Sequence, residues 1–237
     1  MPLTAVLFDL DGTLLPMDQD LFINEYFKRL AAKLAPVGYE SDKLFKGIWA
    51  GIGGIMKNNS PKRNEEVFWE IFRSIFGERV DVDKALFDEF YRDNFGDIRS
   101  VCGFNPEAAP LVRDLKAKGL RVVLATNPFF PAMATHHRIR WTGLEPDEFE
   151  LVTTYENSCR CKPNPAYYEE VLNKCGLKPE ECIMVGNDAL EDTVAETLGI
   201  RVFLLTDCLI NKQERDISRY PQGSFKELRD YINEQLK

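Results

Sequence analysis

The sequence predicts an α/β protein, a doubly wound parallel sheet interrupted after its first strand by a long all-helical insert. Two observations carry this. From Asn105 onward, short apolar runs alternate with helix-length amphipathic segments, the pattern of strands joined by right-handed crossovers. Between about residues 16 and 100 that alternation is absent, and ten of the sixteen phenylalanines lie between Leu14 and Pro106.

The opening strand comprises Ala5 to Phe8, an unbroken apolar run of the kind that is buried on both faces of a parallel sheet. It ends on Asp9-Leu10-Asp11-Gly12-Thr13. The spacing of the two acids puts both on one face if the strand continues, and Gly12 permits a sharp turn. Paired acids repel unless a cation or a shared proton offsets them, and strand carboxyl ends are where open α/β sheets bind ligands.

Within the insert, Ile23, Phe27, Leu30 and Leu34 fall at helical spacing, and Ser41 and Asn64 are placed to cap a second and a third helix. A fourth starts near Asp83. The aromatic content predicts a separate helical domain with its own core. The glycine-interrupted stretch ending in Lys57, Asn58 and Asn59 is a candidate substrate-facing loop. Beyond the insert, Asn105-Pro106-Glu107 reads as a helix start. Strands are expected at 121–125, 149–153 (weak), 182–185 and 201–205, with helices at 131–141, from Asn164-Pro165 to Gly176, and at 192–198. Ser224-Phe225-Lys226-Glu227 is a capping box opening a final helix.

Composition narrows the function. The chain has 237 residues, 44% hydrophobic and 11% aromatic, enough for a substantial core. Its 30 basic and 38 acidic residues give a net charge of −8, which argues against nucleic acid or an anionic membrane as partner. No apolar run is long enough to span a bilayer and the start lacks a secretory signal. The six cysteines have no disulfide-framework spacing, so reduced thiols and a cytoplasmic location are expected. Cys159 and Cys161 lack a second pair that would complete a zinc site. The oligomeric state stays open, a monomer being favoured.

Three strands end on Asp9/Asp11, Thr126-Asn127 and Asp188, and Lys162 precedes a helix. Each has an ordinary explanation as a turn or solvated residue; together, at converging strand ends, they do not. In this order they resemble the haloacid dehalogenase-like (HAD) hydrolase superfamily. Asp9-Leu10-Asp11-Gly12-Thr13 is similar to its first motif in the phosphatase form, Thr126 to the second, Lys162 to the third, and Gly186-Asn187-Asp188-Ala189-Leu190-Glu191-Asp192 to the acidic fourth. The resemblance implies a Rossmann-like sheet of order 5-4-1-2-3 (strands 1 to 5 as predicted above) in residues 1–15 and 101–237. It implies a helical cap at 16–100 and an Mg2+-dependent phosphomonoester hydrolase acting on a small phosphorylated metabolite. Asp9 would be the nucleophile forming an aspartyl-phosphate and Asp11 the general acid/base. Thr126 and Lys162 would hold the phosphoryl oxygens, with Gly12 and Asn127 also at the substrate. Asp9, Asp11, Asp188 and Asp192 form the implied metal set. Asn187 departs from the family pattern by standing where an Asp is usual, which shifts the ligand role to Asp188, with Asp192 ligating or orienting.

Asp11 counts against dehalogenase and phosphonatase chemistry. The alternatives are a phosphomutase or other phosphoryl transferase of the same superfamily, or a non-catalytic receiver-like aspartyl-phosphate signalling protein. A receiver would need about half this length and places its acceptor Asp on an internal strand.

Overall fold

The computed structural model describes residues 2–236. β1 (Ala5–Phe8) is wholly buried and pairs in parallel with β2 (Arg121–Leu124) on one side and β3 (Cys182–Gly186) on the other. β4 (Arg201–Leu205) and a two-residue β5 (Gln222–Gly223) complete a sheet of order β2-β1-β3-β4-β5. The order expected holds for four of the five predicted strands, and the fifth is corrected. Residues 149–153 form no strand; Val152 makes a single parallel bridge to Leu124 at the sheet edge. The Thr153 hydroxyl turns inward to donate to the Thr126 carbonyl at 2.6 Å, so the chain leaves the ladder there. The short edge strand β5 was not foreseen.

Alternation along the strands splits the sheet into two apolar faces. Val6, Phe8, Val122, Ile183 and Phe203 face α5 (Ala108–Ala117), α6 (Ala132–Trp141) and α8 (Phe225–Gln235). Ala5, Leu7, Val123, Met184 and Val202 face α7 (Pro165–Cys175). Two of these helices, α7 and α8, start or stop as their sequences dictate. Asn164 caps α7 by accepting from the Ala166 amide at 3.0 Å, and Gly176 ends it in the left-handed region. Ser224 and Glu227 form the expected capping box of α8. Asn105, by contrast, accepts from the Glu107 amide in a turn, and α5 begins three residues later, at Ala108. Residues 193–198 form a 3-10 turn rather than an α-helix.

The insert folds as α1 (Gln19–Leu34), α2 (Ser41–Met56), α3 (Asn64–Phe76) and α4 (Val80–Asp93), followed by a 3-10 segment, Phe95–Val101. Its core is not separate. Phe68, Phe72, Phe87, Phe90 and Phe95 belong to the same continuous apolar cluster as the Val6/Phe8 face of the sheet. Phe95 stacks on Trp141 of α6 with ring centroids 5.7 Å apart, which makes that continuity concrete. The caps also differ from expectation. Ser41 and Asn64 are the first helical residues, and Glu40 and Arg63 precede them. The chain leaves and re-enters the sheet domain through two adjacent segments, with Met17 bridged to Cys102 and the Gly103 amide donating to the Pro16 carbonyl at 2.7 Å.

Phe72 is fully buried, with Phe76 at 4.5 Å and Phe87 at 5.4 Å between ring centroids. Truncation to Ala leaves a cavity, so Phe72→Ala should lower unfolding free energy by about 3–5 kcal/mol in a denaturant titration. A negligible loss would show that this aromatic cluster does not hold the insert.

Candidate active site

The carboxyl ends of β1, β2 and β3 open into one cavity that contains Asp9, Asp11, Thr126, Asn127, Asn187, Asp188, Glu191 and Asp192 in its wall. The Asp9 amide donates to the Val185 carbonyl at 2.9 Å, so Asp9 is still held in sheet register. Immediately after it the chain turns, with Gly12 at φ 85° and its amide bonded to the Leu15 carbonyl at 2.8 Å. Gly12 is also where the backbone passes closest to Asn187; a Cβ there would lie 2.3 Å from the amide nitrogen of that side chain. Glycine is therefore required for the turn and for the close approach.

Lys162 is the hub. Its ammonium, 1% exposed, donates to Asp9 Oδ1 at 2.9 Å and to Asp192 Oδ1 at 2.7 Å. Burial alone would push its pKa down, but Asp192 and Asp9 overturn that and hold it well above the ordinary value, so it stays charged. Asp9 is pushed up to about 7 by burial, reinforced by Asp192 and Asp11 and opposed by Lys162. Both Asp192 oxygens are taken, one by Lys162 and the other by the Asp188 amide at 2.9 Å. This arrangement favours the orienting alternative for Asp192 over a ligand role. Asp188 points one oxygen at the Leu190 and Glu191 amides, at 2.7 and 2.9 Å. Asn187 accepts from the Thr13 hydroxyl at 2.9 Å and donates to the Cys208 carbonyl at 2.7 Å, tying three loops together.

Thr126 is buried at the end of β2, where its carbonyl accepts from the hydroxyls of Thr153 and Tyr167. Asn127 donates to Glu191 Oε2 at 2.9 Å, while its own Oδ1 is buried without a partner in the cavity wall.

Two residues that sequence reasoning missed complete the site. Arg138, on α6 and 1% exposed, forms an ion pair with Asp11 and lies over the Phe130 ring, 4.6 Å from its centroid. Its other bonds, to the Ala134 carbonyl at 3.4 Å and the Thr135 hydroxyl at 3.2 Å, fix the guanidinium in one place. The signal was available: Arg138 follows Ala134 by four positions and precedes Trp141 by three, on the inward stripe of α6. Glu191 was given no role of its own within the acidic motif. Burial, with Asp192 and Asp188 nearby, pushes its carboxyl up to about 8.

Other expectations do not hold. Lys57, Asn58 and Asn59 are not in the cavity wall. Asn58 is instead a buried clasp, donating to the carbonyls of Lys62 and Cys159 at 2.9 and 3.0 Å. Its place in the wall is taken by Trp49 and Ile52 of α2 and by Phe22, Ile23, Tyr26 and Phe27 of α1. Phe129 and Phe130, which follow Asn127, also border the cavity. All six cysteines are free.

Whether a divalent cation suits this site follows from the donors. Among the described residues no three His, Cys, Asp or Glu side chains form a ready-made cage. Five acids line the cavity, however, against the two buried cations Lys162 and Arg138, and Asp11 Oδ1 is buried with no hydrogen-bond partner. An all-oxygen, electron-rich wall with few side-chain ligands fits Mg2+, which keeps several waters and binds through one or two carboxylates.

The haloacid dehalogenase-like hydrolase family model matches residues 3–195. A glyceraldehyde 3-phosphate phosphatase of Methanothermobacter thermautotrophicus is 27% identical over 225 residues, 90% of each chain. A plasmid-encoded phosphoglycolate phosphatase of Cupriavidus necator is 28% identical over 207 residues, 86% of this chain and 81% of the relative. Among solved structures, a 2-haloacid dehalogenase of Pseudomonas syringae shares the fold with a TM-score of 0.64 at 20% identity, over 99% of this chain and all of that one. The chain belongs to the haloacid dehalogenase-like hydrolases.

Gly186, the last residue of β3, tests the hub. A Cβ there would sit 2.0 Å from Asp192 Oδ2, so Gly186→Ala must displace the carboxylate that holds Lys162. Phosphate release should fall by about 10²-fold, the cost of a misplacement near 1 Å, with the fold retained by circular dichroism. Unchanged turnover would mean that the Asp192–Lys162 contact does not position the site.

Proposed function

We propose that this protein hydrolyses phosphomonoesters of small metabolites through an aspartyl-phosphate on Asp9, with Mg2+ as cofactor. The observation that carries the reading is Lys162 bridging Asp9 and Asp192 at the mouth of β1, with Asp11 two residues on and fixed by Arg138. The two phosphatases named above, which act on small phosphorylated compounds, support the substrate class.

In the first step an Asp9 oxygen attacks phosphorus and the ester P–O bond breaks, with Asp11 giving its proton to the departing alkoxide. In the second, Asp11 takes a proton from water, which attacks phosphorus and breaks the Asp9–phosphorus bond to release phosphate. Burial raises the Asp11 pKa, opposed by Arg138 and Lys162, so that a carboxyl able to carry the proton faces a guanidinium that steadies its anion. Thr126 and Lys162 receive the phosphoryl oxygens as charge shifts among them. Asp9, Asp188 and the Asp11 carbonyl would hold the magnesium, which when bound screens the repulsion between carboxylate and phosphate. Asn127 borders the phosphoryl end with its free carbonyl oxygen, and Gly12, which is not in the cavity wall, would act there through the turn it makes beside Asn187. The free thiols suit a reducing, cytoplasmic setting.

Asp9→Asn should abolish phosphate release from a panel of phosphomonoesters. Asp11→Asn should cost about 10²–10⁴ in turnover. Magnesium should raise the melting temperature of the wild type but not of Asp188→Asn. Full activity in excess chelator, or in Asp9→Asn, would refute the assignment.

Residues 16–100 act in this reading as a lid over a core of residues 1–15 and 101–237. Support comes from the paired connections at Pro16 and Gly103 and from a latch on the opposite side. There Asn64 donates to the Arg160 carbonyl at 3.0 Å, and the Arg160 guanidinium donates to the Ser60 and Asn59 carbonyls at 2.6 and 3.2 Å. Asn64→Ala should raise KM and speed proteolysis of the 57–64 loop. Unchanged values for both would show that the latch does not govern closure.

A further inference from the structure

The cavity has two chemically different ends. Around Asp9 it is acidic and polar; the end formed by the insert is apolar, walled by Phe22, Ile23, Phe27, Trp49 and Ile52, with Phe129 beside them. Among the described residues no Lys, Arg or His borders the cavity. Lys162 and Arg138 lie behind the acids they pair with, each 1% exposed. The Tyr26 hydroxyl is already paired with that of Tyr91 at 2.8 Å, which leaves Gln19 and the Trp49 indole as the insert's lining side chains with polar groups to offer.

We infer that the leaving-group end of the site takes a compact apolar alcohol, aromatic or branched alkyl, in preference to one bearing a carboxylate or several hydroxyls. The inference rests on the phosphatase reading for its phosphoryl end alone. A carboxylate placed beyond the phosphoryl group would give up its water to aromatic rings with no cationic side chain in the wall to pair with it. The several hydroxyls of a sugar would need more partners than Gln19 and Trp49 offer at that end, and a buried polar group left unpaired is penalised in full. An apolar group gains by the same wall, because rings and branched side chains bury its surface. The volume, ≈ 240 Å³, is below the ~300–1,000 Å³ usual for small-molecule pockets, which suits a compact leaving group. The apolar surface continues outward through Phe45, whose ring lies 4.5 Å from that of Phe27, and through Trp49, which is 41% exposed.

The test uses non-hydrolysable probes in calorimetric titrations of the intact protein with Mg2+ present, comparing benzylphosphonate with phosphonoacetate. Benzylphosphonate should bind tighter by about tenfold or more, the equivalent of burying roughly two methylenes. Trp49→Lys, which adds a cation at an exposed position, should narrow that ratio by strengthening phosphonoacetate. Equal or tighter binding of phosphonoacetate to the wild type would overturn the inference, and so would a ratio untouched by Trp49→Lys. Phosphate release from acetyl phosphate, a small activated substrate, reads the catalytic assignment separately. The binding preference without any turnover would support the ligand class and sink the phosphatase mechanism.

Discussion

A lysine ammonium taken out of water between two carboxylates is the constraint on which the site depends. Lys162 has no solvent to fall back on, so its position is fixed by Asp9 and Asp192, and theirs by it. Such a buried arrangement is weak evidence for stability, since desolvating the ions consumes most of what their attraction returns. Its value lies in geometry. Asp9 comes from β1, Asp192 from the turn after β3 and Lys162 from the loop before α7; the ion pairs hold these in one register at the sheet's carboxyl edge. Removing a single partner would strand a buried charge, at a cost of about 3–5 kcal/mol.

A second clamp repeats the logic one residue pair away. Arg138 pairs with Asp11 and rests on Phe130, while the Phe22 ring of the insert, edge-on to Phe130, also borders the guanidinium with its centroid 6.0 Å away. The proposed acid/base is thereby tied to a helix of the core and to a ring of the insert. The position of the insert and the environment of Asp11 are then physically coupled, through aromatic contacts rather than through a hydrogen-bonded chain.

Four strands and the residues at their ends were legible because parallel strands announce themselves as short apolar runs that stop on functional polar residues: Asp9, Thr126 and Asp188 all lie where such runs end; the strand order came from the family resemblance. Lys162 was legible only jointly with them. Arg138 was not, because a charged residue on an amphipathic helix reads as solvated unless its place on the inward stripe is weighed against the acid it could meet. Asn64 read as a helix cap because local rules favour that use. The folded chain instead spends its side chain on the Arg160 carbonyl, a partner 96 residues away that no local pattern encodes. The same holds for the insert's core, whose aromatic density was plain but whose continuity with the sheet face through Phe95 and Trp141 depends on tertiary contact.

The central claim is that Asp9 is the atom-bearing nucleophile and not merely an acid beside the reaction. The direct measurement is to incubate Asp11→Asn with acetyl phosphate and Mg2+, quench in acid, and map the phosphorylated residue by borohydride reduction and peptide mass spectrometry. The account predicts a single acyl-phosphate on Asp9, accumulating because its hydrolysis has lost its base. Label on Asp11's neighbours other than Asp9, or free phosphate released with no acyl-phosphate on the protein at any time, would contradict it.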